Sequence, residues 1–175
     1  SVYSFARKRY PEATGPLVVH RLDMSTSGLL IIAKRKEVHQ ALQKQFNDHT
    51  VRKRYVALLR GNLATDSGII CLPICPDVEH RPCQMVSEKY GKYALTEYEV
   101  IGRKEGMTRV YFYPKTGRTH QLRLHAAHAR GLGMPIVGDE LYGRKADRLY
   151  LQAQRIEFVH PVTGEQVCVE IPCEF

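Results

Sequence analysis

Apolar side chains recur at every second position in separated stretches of this chain, at Leu95 to Ile101, Arg109 to Tyr113 and Val167, Val169, Ile171, and Tyr55 to Leu59 forms a further short β-rich run. A period of two is what a strand with one buried face requires. Few of these stretches are separated by enough helix-patterned chain to build the crossovers that parallel neighbours need. The pattern therefore constrains the chain to an α+β fold on a largely antiparallel mixed sheet with flanking helices. Helical spacing marks two segments. Val38, Ala41, Leu42, Gln45 and Phe46 predict an amphipathic helix over 36–47, and a second helix is predicted from near Thr119 to Gly131, a residue suited to the left-handed position just past a helix end. The runs Leu17-Val18-Val19 and Leu29 to Ala33 read as two buried strands joined through a Ser/Thr/Gly turn. At 175 residues and 43% hydrophobic, the chain builds one ordinary core, and a single domain over 1–175 is expected.

Charge is distributed unevenly over that frame. Residues 1–60 hold twelve Lys/Arg against four Asp/Glu, whereas residues 61–175 hold fourteen of each, so the net charge of +8 comes from the first third. Such asymmetry points to a polyanionic partner, with nucleic acid as the default. A solvated basic surface is the bland alternative. A membrane surface fits less well, because no long apolar segment is present and the basic residues interleave with strand-like runs. Five cysteines, an odd number, argue against a disulfide framework and for a reducing compartment, the cytoplasm. Cys71, Cys75, His80 and Cys83 come near a zinc-knuckle spacing, but the gaps do not match Cys-x-x-Cys, and Cys71 lies in the apolar run 69–72, where a small buried hydrophobe suffices. No metal is expected.

Inside the basic third sits one anomalous carboxylate, Asp23, in the run HRLDMSTSGLLIIAK over 20–34. It lies where a strand-like run meets a loop, a usual place for a working side chain; an Asp that merely ties its own turn is at least as common. The run PKTGRTHQLRLH over 114–125 places a Gly-bearing turn and Arg118 at a predicted helix start, which suits an anion. Arg118 could equally cap a surface loop. Tyr55 stands in the basic run Arg52-Lys53-Arg54-Tyr55, where a core or cross-strand role is the ordinary one.

Six blocks in fixed order, HRLDMSTSGLLIIAK, KRYVALL, GKYALTEYEV, PKTGRTHQLRLH, PIVGDELYG and FVHPVTGE, resemble the RluA-type pseudouridine synthases over roughly residues 10–165. The segment RPCQMV over 81–86 resembles the RPxQ segment of the RluA subgroup. The resemblance implies an α+β catalytic domain that isomerises uridine to pseudouridine in RNA without a cofactor. Carried over by position, it makes Asp23 the catalytic carboxylate, Tyr55 the aromatic that stacks on the target uracil, and Arg118 the ion-pair partner of Asp23. Arg21 matches the basic residue that fills the space left by the flipped base, and a Leu149–Leu151 strand closes the far side of the pocket. His20, Lys53, Arg54, Arg123 and Leu151 are the further expected substrate contacts. Gln152 stands where relatives often have His, and the strand with a KPxG-like segment that usually opens such proteins is expected to be missing upstream of Ser1.

The partner so implied is structured RNA, an rRNA or tRNA stem–loop, with the RPxQ match favouring both, and the protein is expected to be a monomer. Two other classes fit some of the same features. An RNA-binding assembly factor would use the basic face without turnover, and a metal-independent ribonuclease would use His20, His120 or His125 with Asp23. Incubation with RNA separates the three by pseudouridine, unchanged RNA or cleaved strands.

Overall fold

The alternating stretches become the spine of one twisted sheet in the computed structural model, which describes residues 2–175. In chain order the elements are α1 Val2–Arg9, β1 Leu17–Val18, β2 Ser27–Gly28, β3 Ile32–Ala33, α2 Lys36–Asn47, β4 Arg52–Arg60, β5 Ser67–Cys71, β6 Ile74–Pro76 and β7 Gln84–Val86. There follow β8 Leu95–Lys104, β9 Met107–Pro114, α3 Gln121–Ala127, β10 Leu151–Val159 and β11 Gln166–Glu170. The main sheet runs β11-β10-β4-β9-β8-β5, antiparallel throughout, and β2 joins β10 as its one parallel neighbour. This is the mixed, mostly antiparallel α+β architecture expected from the period-two pattern.

Strand β9 shows why. Every second residue from Thr108 to Pro114 is buried, and Val110 and Phe112 pack with Ala57 and Leu59 of β4, Leu122 and Ala126 of α3, and Ile136, Leu149 and Leu151. Fully burying one such side chain contributes about 1.5–3 kcal/mol. A smaller cluster holds α2 against β1 and β3 through Val19, Ala33 and Leu42, with Phe46 at its edge.

Several local expectations are corrected. The runs at 17–19 and 29–33 form only one two-residue ladder, Leu17 opposite Ala33 and Val18 opposite Ile32, and Val19, Ile31 and Ala33 pack instead against Val38, Leu42 and Phe46 of α2. Helix α3 stops at Ala127, short of Gly131. Gly131 has no left-handed conformation; a Cβ there would lie 2.0 Å from the His125 carbonyl oxygen, so close approach is what requires glycine. Cys71 is exposed at the sheet edge rather than buried. Gln152, where relatives often have His, is fully buried: its side chain donates to the Pro172 carbonyl at 3.1 Å and accepts the Glu174 N–H at 3.1 Å.

Candidate active site

Gly28, Ala153 and Tyr55 are register partners in one row across β2, β10 and β4. That row delivers the loop between β1 and β2 to the sheet beside Tyr55. Gly28 has φ +109°, and a Cβ there would stand 2.3 Å from the Ala153 carbonyl oxygen, so only glycine lets β2 dock on β10. The Leu29 N–H then donates to the same carbonyl at 2.9 Å. Within the loop, the Thr26 N–H donates to the Asp23 backbone carbonyl at 3.0 Å and closes a tight turn. The turn is thus made by Asp23's backbone. Its half-buried carboxylate has no hydrogen bond or ion pair among the described residues.

A cleft of about 260 Å³ opens over this carboxylate. His20, Arg21, Asp23, Lys53, Tyr55, Arg118 and Leu151 all line it, so seven of the expected site residues converge. The space is smaller than the roughly 300–1,000 Å³ of drug-sized ligand sites and suits a single nucleoside. Burial, and then the Asp23 charge, push the Tyr55 phenol up to about 12, which keeps it neutral near pH 7. His20 stacks on Phe46 with centroids 4.6 Å apart, and its Nε2 accepts the Ile31 N–H at 3.0 Å. Burial and the neighbouring Lys53 push His20 down to about 4, so it is a neutral wall of the cleft. Burial also lowers Lys53.

Arg118 shares the cleft with Asp23 but no ion pair joins them; its Nε donates to the Tyr93 carbonyl at 3.0 Å. Two other expected contacts are elsewhere. Arg54 lies on the opposite face of β4 from Lys53 and Tyr55, bonded to Gln154 at 3.1 Å and Glu170 at 2.5 Å, because strand side chains alternate. Arg123 is 5% exposed, and its guanidinium holds both carboxylate oxygens of fully enclosed Asp139, at 2.8 and 2.7 Å. Burial lowers the His120 imidazole, with the Asp23 carboxylate opposing that shift; burial also acts to lower Arg123, but its pairing with Asp139 and, less, the Asp23 charge raise it on balance.

Sequence reasoning missed the group that aims Arg118. Gln121, at the start of α3, accepts the Thr116 hydroxyl at 2.7 Å and the Arg118 N–H at 3.0 Å, and donates to the Leu95 carbonyl and Thr96 Oγ1, each at 3.0 Å. All four of its hydrogen-bonding positions are used. Asp139 and Tyr142 were also missed: the Tyr142 hydroxyl accepts the Gln84 N–H at 2.7 Å and shares a hydrogen bond with His120 Nδ1 at 2.8 Å, tying the 81–86 segment to the helix start. For Asp139 the available signal was an acid directly after the apolar run Pro135-Ile136-Val137-Gly138; Gln121 stands among polar neighbours and has no such signal.

The family model described as RNA pseudouridylate synthase matches residues 1–128. The chain belongs to the RluA-type RNA pseudouridine synthases. Among its relatives in this family of isomerases, the dual-specificity RNA pseudouridine synthase RluA of Vibrio cholerae is 44% identical over 163 residues, 90% of this chain and 65% of that protein. The protein of the same name from Escherichia coli K12 is 38% identical over the whole chain and 80% of its own length. The solved structure of human RNA pseudouridylate synthase domain containing 1 superposes on 98% of the chain, and this chain on 74% of it, with TM-score 0.83 and 31% identity. A second human structure, RNA pseudouridylate synthase domain containing 4, shares the fold with TM-score 0.78 at 21% identity. Against this RluA-type background the ribonuclease reading loses two of its three histidines. His125 is enclosed in the core between Thr96 Oγ1 at 2.9 Å and the Leu72 carbonyl at 3.3 Å, and His20 Nε2 is committed to the backbone.

Proposed function

We propose that this chain isomerises uridine to pseudouridine in rRNA and tRNA stem–loops, with Asp23 as the catalytic carboxylate. The observation that carries the reading is the Asp23 carboxylate, without a hydrogen bond or ion pair among the described residues and lining a nucleoside-sized cleft with Tyr55 and Leu151 in its wall. The reaction breaks the N1–C1′ bond, turns the base, and joins C5 to C1′; the proton lost from C5 balances the one gained at N1. No electron or group enters or leaves, so these side chains suffice without a cofactor. Attack on C1′ and removal of the C2′ proton both need an ionised carboxylate.

A target uridine must leave its stack, at a cost of a few kcal/mol. The neutral Tyr55 ring offsets part of that by stacking on the uracil, and Arg21, exposed at the cleft rim two residues before Asp23, enters the space the nucleotide vacates. Lys53, Arg118 and the remaining basic surface of the first third hold the phosphates. The 175 residues act as one catalytic domain, as a monomer in the cytoplasm. The test is purified protein with rRNA and tRNA transcripts, assayed for pseudouridine. Wild type is expected to convert specific uridines, and Asp23→Asn to bind RNA as tightly while losing turnover by at least a thousandfold. Substantial turnover by the Asn variant at saturating RNA would remove Asp23 from the role.

A further inference from the structure

We propose that the turn carrying Tyr90 and Tyr93, together with Lys89 and Lys92, is a stacking platform for the unpaired RNA nucleotides that flank the target uridine. This rests on the synthase reading and extends it to a surface outside the cleft. Tyr90 is 70% exposed and Tyr93 58% exposed, and neither ring packs on another aromatic among the described residues. Rings so exposed add little to the core, because folding removes little of their surface from water. The turn that presents them is nevertheless firmly held. The Tyr90 N–H donates to Ser87 Oγ at 3.2 Å, the Gly91 N–H to the Ser87 carbonyl at 2.8 Å, and Lys92 exchanges two backbone bonds with Ile74 at 2.8 and 3.0 Å.

Position and charge select the occupant. The Tyr93 carbonyl receives Arg118 Nε, and Arg118 lines the cleft, so the platform adjoins the opening through which a flipped nucleotide enters. Lys89 Nζ lies 4.9 Å from the Tyr90 ring centroid, and Lys92 is exposed and without an ion pair among the described residues. The one acid in the turn, Glu88, is engaged by Arg130 at 2.6 Å. Aromatic rings interleaved with free cations match the two faces of single-stranded RNA, bases and phosphates. Extruding the target leaves its neighbours without a stacking partner, and a preorganised aromatic surface beside the cleft replaces that partner at small entropic cost.

The experiment uses an anticodon stem–loop RNA with one loop uridine and 2-aminopurine immediately 5′ or 3′ of it. Binding of the wild-type protein is expected to quench at least one of the two labels by stacking. Tyr93→Ala, and more so the Tyr90→Ala/Tyr93→Ala pair, should restore the fluorescence and raise the half-saturating RNA concentration about five- to a hundredfold. Tyr93→Phe should retain the quench. The alanine variants keep the backbone carbonyl that holds Arg118, so the loss reports the rings. Unchanged quench and half-saturation in the double variant would overturn the platform, even where wild type converts the same RNA. Tyrosine-dependent quench without any conversion would leave the platform standing and remove the synthase reading.

Discussion

Arg123 and Asp139 form an ion pair inside the core rather than in the lining of the cleft. The pair is bidentate, both side chains are almost fully enclosed, and Asp139 also accepts the Leu141 and Tyr142 N–H groups at 3.1 and 3.2 Å. Removing one partner leaves a buried charge uncompensated, a loss of about 3–5 kcal/mol. Arg123→Leu is therefore expected to lower the unfolding free energy by that much in urea titration, and a loss below about 1 kcal/mol would show that the pair is dispensable. Arg54→Ala should behave differently. That side chain stacks over Tyr111 at 4.3 Å and pairs with half-exposed Glu170, away from the cleft, so turnover on RNA should change far less than for Lys53→Ala. Both residues were counted together in the sequence because each is basic and adjacent to Tyr55. The period of two that places Lys53 with Tyr55 already assigns Arg54 to the other face, so the distinction was legible in the spacing though not in the residue type.

At the level of elements, legibility followed how much of a segment's conformation is decided by its own pattern. Strands β8 and β9 announce themselves because β9 alternates along its whole length and β8 along its first half, and each is paired on both sides. Helix α2 does so because Val38, Leu42 and Phe46 fall on one stripe. The flanks of Asp23 were less legible: their apolar runs look like strands, yet a two-residue ladder and the docking of Gly28 on Ala153 are tertiary events with no local signature. The 114–121 loop is set by a hydrogen-bonded hub that only the folded chain assembles. Gln121→Leu keeps nearly the same volume but leaves the Leu95 carbonyl and the Thr96 and Thr116 hydroxyls short of partners. The expected cost is about 1–3 kcal/mol for such buried groups, together with a fall in turnover as the Arg118 backbone loses its anchor. Gln121→Glu, which still accepts but no longer donates, should fall between. A Leu variant with unaltered stability and rate would show that the loop holds itself.

For the whole molecule, buried imidazoles couple stability to pH. His125 is fully enclosed, and burial pushes it down to about 4, against about 6.5 for an imidazole in the unfolded chain; its Nδ1 is the acceptor for the Thr96 hydroxyl, which itself receives Gln121 Nε2. Burial, with the Lys53 charge beside it, likewise pushes His20 down to about 4. Between pH 6.5 and 4 the unfolded chain takes up protons that the folded protein refuses. Stability is therefore full above that window and falls as the pH drops through it, by up to about 3 kcal/mol on account of His125 alone. Protonated His125 would also aim an N–H at the Thr96 hydroxyl that now donates to it, forcing the Thr96–Gln121–Arg118 chain to rearrange. Acid should thus loosen the cleft loop together with the core. Urea unfolding at pH 7, 5.5 and 4.5 of wild type and His125→Asn, whose amide does not titrate, is expected to show a shallower decline in the variant. Parallel decline in both proteins would place the acid sensitivity in other groups.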